Sequence, residues 1–194
     1  MRQTTHLCLV RHGQTDWNKA GFIQGLTDNP LNEVGINQAH QTGKLLKDEH
    51  WDIIISSPLI RAFKTAEIIS QHVNYQGDII ISPEFVERDF GIADGEHVSS
   101  FYHLVMEEKV EKMELNNQLI DRVKLGLDKI TEKFPNKKIL VVCHSHVIKA
   151  AIIHASNFEY DFTVKLDNTS LNYFSHCNNE YHLEKLNVNK HLNF

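Results

Sequence analysis

Residues 5–15, T-H-L-C-L-V-R-H-G-Q-T, join an apolar run to a polar loop. Residues 5–10 are typical of a short buried strand, and the loop begins at Arg11. A histidine that follows a strand, beside a guanidinium and a flexible glycine, is placed to meet an anion. Its neutral imidazole is also a competent nucleophile near pH 7, because the unperturbed pKa of histidine is about 6.5. The segment therefore predicts a strand that ends in a reactive loop containing His12.

Along the rest of the chain, apolar segments that predict strands alternate with segments of helical periodicity. The predicted strands are 52–56, 78–82, 138–143, 170–176 and 181–186; the predicted helices are 33–50, 58–75, two within 97–134, and 147–156; residues 11–32 are predicted to be irregular. This alternation predicts an α/β fold, a three-layer α/β/α sandwich with a mainly parallel central sheet. Ligands of such sheets lie beyond the carboxyl ends of the strands, so His12 and His144 can meet at one rim. Without an evident linker, we expect a single domain over residues 1–194.

The composition excludes several classes of protein. With 41% hydrophobic and 23% charged residues, the chain is neither disordered nor fibrous. It has no apolar run of about 20 residues, and its N-terminal apolar stretch is too short for a signal peptide. The net charge of −5 argues against a nucleic-acid partner. Three widely spaced cysteines favour reduced thiols, so we expect a cytoplasmic protein without a membrane partner. The oligomeric state is not indicated.

Arginine is sparingly used in this chain, which has fifteen lysines and five arginines. A chain that defaults to lysine yet uses arginine at a site can need the planar, two-pronged guanidinium there. Three of the five, Arg11, Arg61 and Arg88, lie in the motifs described next.

Motifs in a fixed order carry a resemblance to a known family. Residues 11–15 followed by 17–18 resemble the RHGxTxxN signature of the histidine phosphatase superfamily, the phosphoglycerate mutase-like proteins. Residues 56–62 with 65–67 resemble its second block, SSPLxRAxxTAE. The other matching blocks are 24–25, 28–31, 35, 38–39, 85–91, 141–144 and 168–170. The resemblance thus runs from residue 6 to about residue 175 and implies the family's α/β fold and phosphoryl-transfer chemistry.

The resemblance also implies a set of catalytic roles. His12 would attack phosphorus in line and become phosphohistidine. Arg11, Arg61 and His144 would surround the non-bridging oxygens, where charge is stabilised in the transition state. Glu87 would protonate the leaving oxygen and then activate water.

Further residues are expected to bind the substrate. Asn18 would hydrogen-bond the phosphate or hold the imidazole, although as a turn former it has an equally good structural role. Ser145 stands where the family usually has glycine and can still offer its backbone N–H. Glu87-Arg88 resembles the dipeptide with which cofactor-dependent mutases hold a second anionic group. The complete set of expected substrate-binding residues is Thr15, Asn18, Gln24, Gly25, Arg88 and Ser145.

Other kinds of site fit the sequence less well. Residues 143–147 lack both glycines of a G-x-S-x-G nucleophile elbow, and Cys143 lacks the arginine of a cysteine phosphatase loop. His144-x-His146 could be half of a metal site, but no carboxylate-rich motif accompanies it. We therefore expect neither a metal nor another cofactor.

Three functions are compatible with these motifs. The first is a metal-independent phosphomonoester hydrolase, acting through phosphohistidine on a small phosphorylated metabolite that Phe22, Ile23 and the 97–115 helix help to enclose. The alternative is a phosphoglycerate mutase, which by resemblance needs a long cationic insertion; only 56 residues separate Glu87 from His144, without an excess of positive charge. The third is a silent phospho-ligand binding module, which would have lost a catalytic group, whereas all are present.

Overall fold

The computed structural model describes residues 4–192, so the expected domain of residues 1–194 extends beyond the described range at both ends. The strands are β1 (Thr5–Arg11), β2 (Ile53–Ser56), β3 (Ile80–Ile81), β4 (Lys138–Cys143), β5 (Leu171–Cys177) and β6 (Glu180–Val188). The α-helices are α1 (Asp16–Ala20), α2 (Glu33–Leu46), α3 (Ile60–His72), α4 (Val98–Met106), α5 (Asn116–Lys133) and α6 (Ser145–Ala155).

The six strands form one mixed sheet in the order β3-β2-β4-β1-β5-β6. The pairs β1–β4, β2–β4 and β2–β3 are parallel, whereas β5 runs antiparallel to both β1 and β6. Asn178 and Asn179 alone join β5 to β6, and both have positive φ angles, 53° and 63°. Such a two-residue turn matches the twist of an antiparallel hairpin. The predicted mainly parallel sheet is therefore confirmed, with a hairpin at one edge.

Helices cover both faces of this sheet. Along β1, Leu7 and Leu9 pack with residues of α5 and α6, whereas Cys8 and Val10 pack with residues of α2 and α3. Because successive side chains of a strand point to opposite faces, an uninterrupted apolar run has to be covered twice. The predicted three-layer α/β/α arrangement is thus confirmed.

The structure corrects the prediction for residues 11–32, which include the helix α1. Thr15 and Asn18 form a capping box: the Thr15 hydroxyl accepts from the Asn18 N–H (3.1 Å), and Asn18 Oδ1 accepts from the Thr15 N–H (3.3 Å). Gly21 ends the helix with a φ of 79°. This helix has only five residues, too few to show a recognisable apolar period. Its capping box has an asparagine in place of the usual glutamate or glutamine, so that signature is not recognisable either.

Several element boundaries also differ from the predicted ones. The helix predicted from Pro58 begins at Ile60, and the helix predicted from Val147 begins at Ser145, directly after His144. The third strand is reduced to Ile80–Ile81. Among residues 4–192, the helices are all too short or too polar to cross a membrane.

Candidate active site

A cavity of about 320 Å³ opens at the carboxyl ends of the parallel strands. That volume is at the small end of ligand-binding cavities, which span about 300–1,000 Å³. Six of the eleven expected site residues line it: Arg11, His12, Asn18, Gln24, Glu87 and Ser145. The other five lie behind its wall: Arg61, His144, Thr15, Gly25 and Arg88. The topology explains the convergence, because β1 pairs with β4 so that Arg11 lies opposite Cys143.

His12 is held by backbone contacts in one tautomer. Its N–H donates to the Cys143 carbonyl (3.0 Å), and its ring Nδ1 lies 2.7 Å from the Gly13 carbonyl. A carbonyl only accepts hydrogen bonds, so Nδ1 carries the proton and Nε2 keeps a lone pair. Burial lowers the pKa of His12 well below its usual value, and the charges of Arg61 and Arg11 lower it further. His12 is therefore neutral and nucleophilic at Nε2 near pH 7.

Gly13 allows the loop after β1 to approach α2 closely. A Cβ atom at this position would lie 2.4 Å from the Gly35 carbonyl oxygen. The Gly13 N–H donates to the Thr65 hydroxyl of α3 (3.1 Å), which fixes the loop from a second side. The loop that presents His12 is thus packed against two helices of the same layer.

His144 lies beside His12, with 5.2 Å between the ring centroids. Its Nε2 is 2.7 Å from the Ser57 hydroxyl, which follows β2. Burial lowers the pKa of His144 well below its usual value, followed by the charge of Arg61. Within residues 4–192, its Nδ1 is buried without a hydrogen-bond partner. One nitrogen of the ring is therefore not committed to a hydrogen bond within the described residues.

Arg61, in the first turn of α3, has a fully buried guanidinium. Two of its nitrogens donate to the carbonyls of Thr27 and Gly25, both at 2.8 Å. With its amide oriented to donate to the Thr15 hydroxyl (2.6 Å), Gln24 accepts from Arg61 Nε and Nη1 at 3.3 and 3.2 Å. Burial lowers the pKa of Arg61 to about 10, so the charge is retained at neutral pH. The carbonyls thus hold a fixed cation whose charge acts on His12.

Arg11, the last residue of β1, supplies the second cation. One of its Nη atoms donates to the Leu166 carbonyl (2.6 Å), and its Nε is buried with no partner among the described residues. Burial lowers its pKa, which Glu87 and Asp167 partly counteract. The guanidinium is therefore charged, partly desolvated and able to donate further hydrogen bonds to an anion.

Glu87 is buried, and each of its oxygens accepts one backbone hydrogen bond. Oε1 accepts from the Arg88 N–H (2.9 Å), and Oε2 accepts from the His146 N–H at a longer 3.5 Å. Burial raises the pKa of Glu87, against the effects of these N–H groups and of Arg61 and Arg11. A carboxyl with a raised pKa can hold a proton closer to neutral pH, as a general acid requires.

Asn18 faces the cavity with its amide nitrogen uncommitted. Its Oδ1 accepts from the Thr15 N–H and from Asn168 Nδ2, both at 3.3 Å. Asn168 also donates to the His12 carbonyl (3.0 Å), so this turn before β5 holds the reactive loop. Because both acceptor positions of Asn18 are used, it can offer a ligand only its N–H donors, as an anion needs. Thr15 itself caps α1.

Arg88 points away from the cavity. Its Nε donates to the Glu114 carbonyl (2.8 Å), Nη2 lies 3.8 Å from Glu108, and the guanidinium carbon lies 5.5 Å from the centre of the Phe162 ring. Gly25 does not line the cavity either. A Cβ atom at this position would lie 2.8 Å from the Arg88 carbonyl oxygen, so the close approach of the two backbone segments requires glycine.

Other side chains at the cavity were not expected from the sequence. The expected Phe22 and Ile23 do line it, together with Val98 and Tyr102 of α4; the unexpected residues include Phe90, His146, Lys149 and Asn168. A lysine within the otherwise apolar helix 145–155 was the signal that could have indicated Lys149.

The remaining reactive groups do not form a second catalytic set. Cys8 and Cys143 are fully buried, and burial raises the pKa of both thiols, which makes them poor nucleophiles. Over residues 4–192, no group of three or more His, Cys, Asp or Glu side chains is placed to hold a metal ion.

Comparison with known proteins places this site in a family. The family model for the histidine phosphatase superfamily (branch 1) matches residues 7–189. The chain is 38% identical to an uncharacterized phosphatase, PhoE, of Bacillus subtilis, over 97% of each chain. It is 32% identical to a metal-independent phosphoserine phosphatase of Arabidopsis thaliana, over 88% of this chain and 76% of the relative.

A solved structure gives the same result. The phosphoserine phosphatase of Entamoeba histolytica, solved as a mutant in complex with phosphoserine, superposes with a TM-score of 0.88 at 28% identity, over 97% of this chain and 99% of that one. Sequence, fold and family model agree that this chain belongs to the histidine phosphatase superfamily, branch 1.

Proposed function

We propose that this protein is a metal-independent phosphomonoester hydrolase that acts through a phosphohistidine on His12. The observation that carries the proposal is the fixed tautomer of His12, in which Nδ1 donates to the Gly13 carbonyl and Nε2 keeps its lone pair. Arg11 and Glu87 line the same cavity, and Arg61 lies behind it. The relatives named for phosphoserine support a small phosphorylated metabolite as the substrate.

The reaction has two steps in this proposal. His12 Nε2 attacks phosphorus as the ester P–O bond breaks, and Glu87 gives its proton to the leaving oxygen. The charges of Arg11 and Arg61 stabilise the three equatorial oxygens, and the neutral His144 stabilises them by donating a hydrogen bond. Glu87, now a carboxylate, takes a proton from water, whose oxygen attacks phosphorus and releases neutral His12 and phosphate.

The phosphoenzyme provides the direct test. Acid-labile phosphate should be trapped on His12 when turnover of a 32P-labelled ester is quenched, and His12→Ala should abolish both trapping and hydrolysis with an unchanged circular dichroism spectrum. Residual hydrolysis above about a hundredth of the wild-type rate would exclude His12 as the nucleophile. The same preparation should be assayed for conversion of 2- to 3-phosphoglycerate, since efficient conversion would support the mutase alternative instead.

Independence from metal has its own test. Hydrolysis should survive a chelator, because arginine and histidine side chains supply the positive charge that a metal ion supplies elsewhere. The chelator-treated protein should be compared with untreated protein in the same assay. Loss of activity that a divalent ion restores would contradict this part of the proposal.

A further inference from the structure

Lys149 on α6 has no part in the chemistry described above. Its side chain lines the cavity, and the residue is only 6% exposed. The ammonium donates to the Phe162 carbonyl (2.8 Å) and to the Tyr102 hydroxyl (3.2 Å), and both acceptors are uncharged. Burying an ammonium without a directly bonded carboxylate is costly, so such a group in a cavity points to a ligand.

The cations around the cavity act on its histidines to different extents. Arg61 and Arg11 lower the pKa of His12, whereas Lys149 lowers the pKa of His146 most, followed by Arg88 and Arg11. Two arginines already match the two negative charges of a phosphoryl group. The charge of Lys149 is therefore available to a second negative group.

Lys149 lies on the side of the cavity that faces the leaving group of the substrate. The His146 N–H donates to Glu87 Oε2, and the His146 ring stacks on Phe162, with 5.7 Å between the ring centroids. Lys149 bonds to that same Phe162 and thus belongs to the wall next to Glu87. Since Glu87 protonates the leaving oxygen, this wall faces the alcohol part of the substrate. The Tyr102 hydroxyl accepts from Lys149 and keeps its own proton as a second donor.

We propose that Lys149, with Tyr102, binds a second anionic group on the alcohol part of the substrate. The substrates are then phosphomonoesters of small alcohols that carry a carboxylate or a second phosphate, and Lys149 determines this specificity. A cavity of about 320 Å³ has room for such a small ester. The inference rests on the proposed phosphatase function and adds the substrate class to it.

The first experiment compares three esters on the wild-type protein: ethyl phosphate, 2-phosphoglycolate and ethylene glycol bisphosphate. A charge-assisted hydrogen bond should raise kcat/KM for an anionic ester about ten- to a hundredfold above that for ethyl phosphate. The two anionic esters distinguish a carboxylate from a second phosphate. Equal kcat/KM for all three esters would overturn the inference and leave the phosphatase function intact, whereas no turnover of any ester would instead contradict the proposed function.

The second experiment tests Lys149 itself. Lys149→Met keeps the length of the side chain and should lower kcat/KM for the preferred anionic ester about ten- to a hundredfold, mainly through KM. Ethyl phosphate should be hydrolysed as before, and Lys149→Arg should restore part of the preference. Lys47→Met, at an exposed position of the chain, is the matched control. An equal loss on ethyl phosphate and on the anionic ester would assign Lys149 a structural role and overturn the inference; should the variant not fold, the wild-type comparison decides.

Discussion

Single residues of this site owe their chemical state to what surrounds them. Histidine and glutamate both lose part of their charged form on burial, so His12 and His144 become neutral while the pKa of Glu87 rises. The arginines keep their charge because even a pKa lowered to about 10 at Arg61 lies above neutral pH. The cavity thus combines neutral bases with permanent cations, as nucleophilic attack on a phosphate dianion requires.

Replacing Glu87 should expose its role as the acid. Glu87→Gln should lower the rate of phosphoenzyme formation from an alkyl phosphate about 10²–10⁴-fold, because general acid catalysis typically contributes that much. An aryl phosphate with an activated leaving group hardly needs a proton and should lose far less. The measurement is a single turnover, which separates this step from hydrolysis of the phosphohistidine.

That experiment needs one control and has one outcome that would contradict it. The dephosphorylation rate is measured separately, because in the proposed second step the same carboxylate activates water. If alkyl and aryl esters lost equally in the first step, Glu87 would not be the acid. Asp94, the next carboxylate of the same loop after Asp89, is unsuited by position, because both of its oxygens accept hydrogen bonds from residues 25 and 27.

Residues in contiguous motifs could be predicted from the sequence, whereas residues gathered by packing could not. His12 follows a strand within a recognisable string, and so does His144. His146 and Lys149 reach the cavity only because α6 turns one face toward it, opposite the segment 97–115 that was expected there. The side of a helix that faces a cavity cannot be recognised from the sequence when the same helix also packs on the hydrophobic core, as α6 does. Their side chains therefore became visible only in the folded chain.

At the scale of elements, the loop between α1 and α2 fixes the position of the Arg61 side chain. The carbonyls of Gly25 and Thr27 accept from its guanidinium. Asp94 fixes that loop, because Oδ1 accepts from the Gly25 N–H (2.9 Å) and Oδ2 from the Thr27 N–H and hydroxyl (3.1 and 3.0 Å). Asp94 is thus a positioning residue that acts through the loop on a cation at the site.

Asp94→Asn should weaken the binding of anions without unfolding the protein. An amide offers one acceptor oxygen in place of two, so the loop loses part of its anchoring and Arg61 its fixed position. We expect inorganic phosphate to bind about tenfold more weakly, as measured by calorimetry. Asp78→Asn, at an exposed position, is the control. A lowered melting temperature with unchanged phosphate affinity would show that Asp94 serves stability alone.

Elements with strong periodicity were predictable, and elements made by local capping were not. The strands β1 and β4 are unbroken apolar runs, and both could be located to within one residue. The helix α1 has no buried residue and is held by its capping box, so hydrophobic periodicity has nothing to detect. The early start of α6 at Ser145 likewise depends on backbone geometry at His144, not on an apolar pattern.

At the scale of the whole molecule, the buried neutral histidines couple stability to pH. Burial lowers the pKa of His12, His144 and His146 well below 6.5, the usual value in an unfolded chain. About one pH unit or more above 6.5, neither state binds these protons appreciably, so they cause little pH dependence there. Below pH 6.5 the unfolded state binds them and the folded state does not, so the free energy of unfolding falls as the pH falls. Each proton contributes up to about 1.4 kcal/mol per pH unit.

Protonation of Glu87 has the opposite effect on the free energy of unfolding, but it involves a single group. Its raised pKa means that the folded state binds a proton more readily than the unfolded state, which adds stability as the pH falls. Three histidine protons outweigh one carboxyl proton. We therefore expect the free energy of unfolding in urea to fall most steeply between pH 6.5 and 5.

One substitution can test whether the buried histidines cause this fall. His146 lies among the rings of Phe90, Tyr102 and Phe162, so His146→Phe replaces it with an aromatic ring that suits the same surroundings. The variant binds one proton fewer on unfolding in acid, so its slope between pH 6.5 and 5 should be shallower by up to about 1.4 kcal/mol per pH unit. His103→Gln, at an exposed position of α4, should leave the slope unchanged. If His146→Phe kept the wild-type slope, His146 would not contribute to the acid sensitivity.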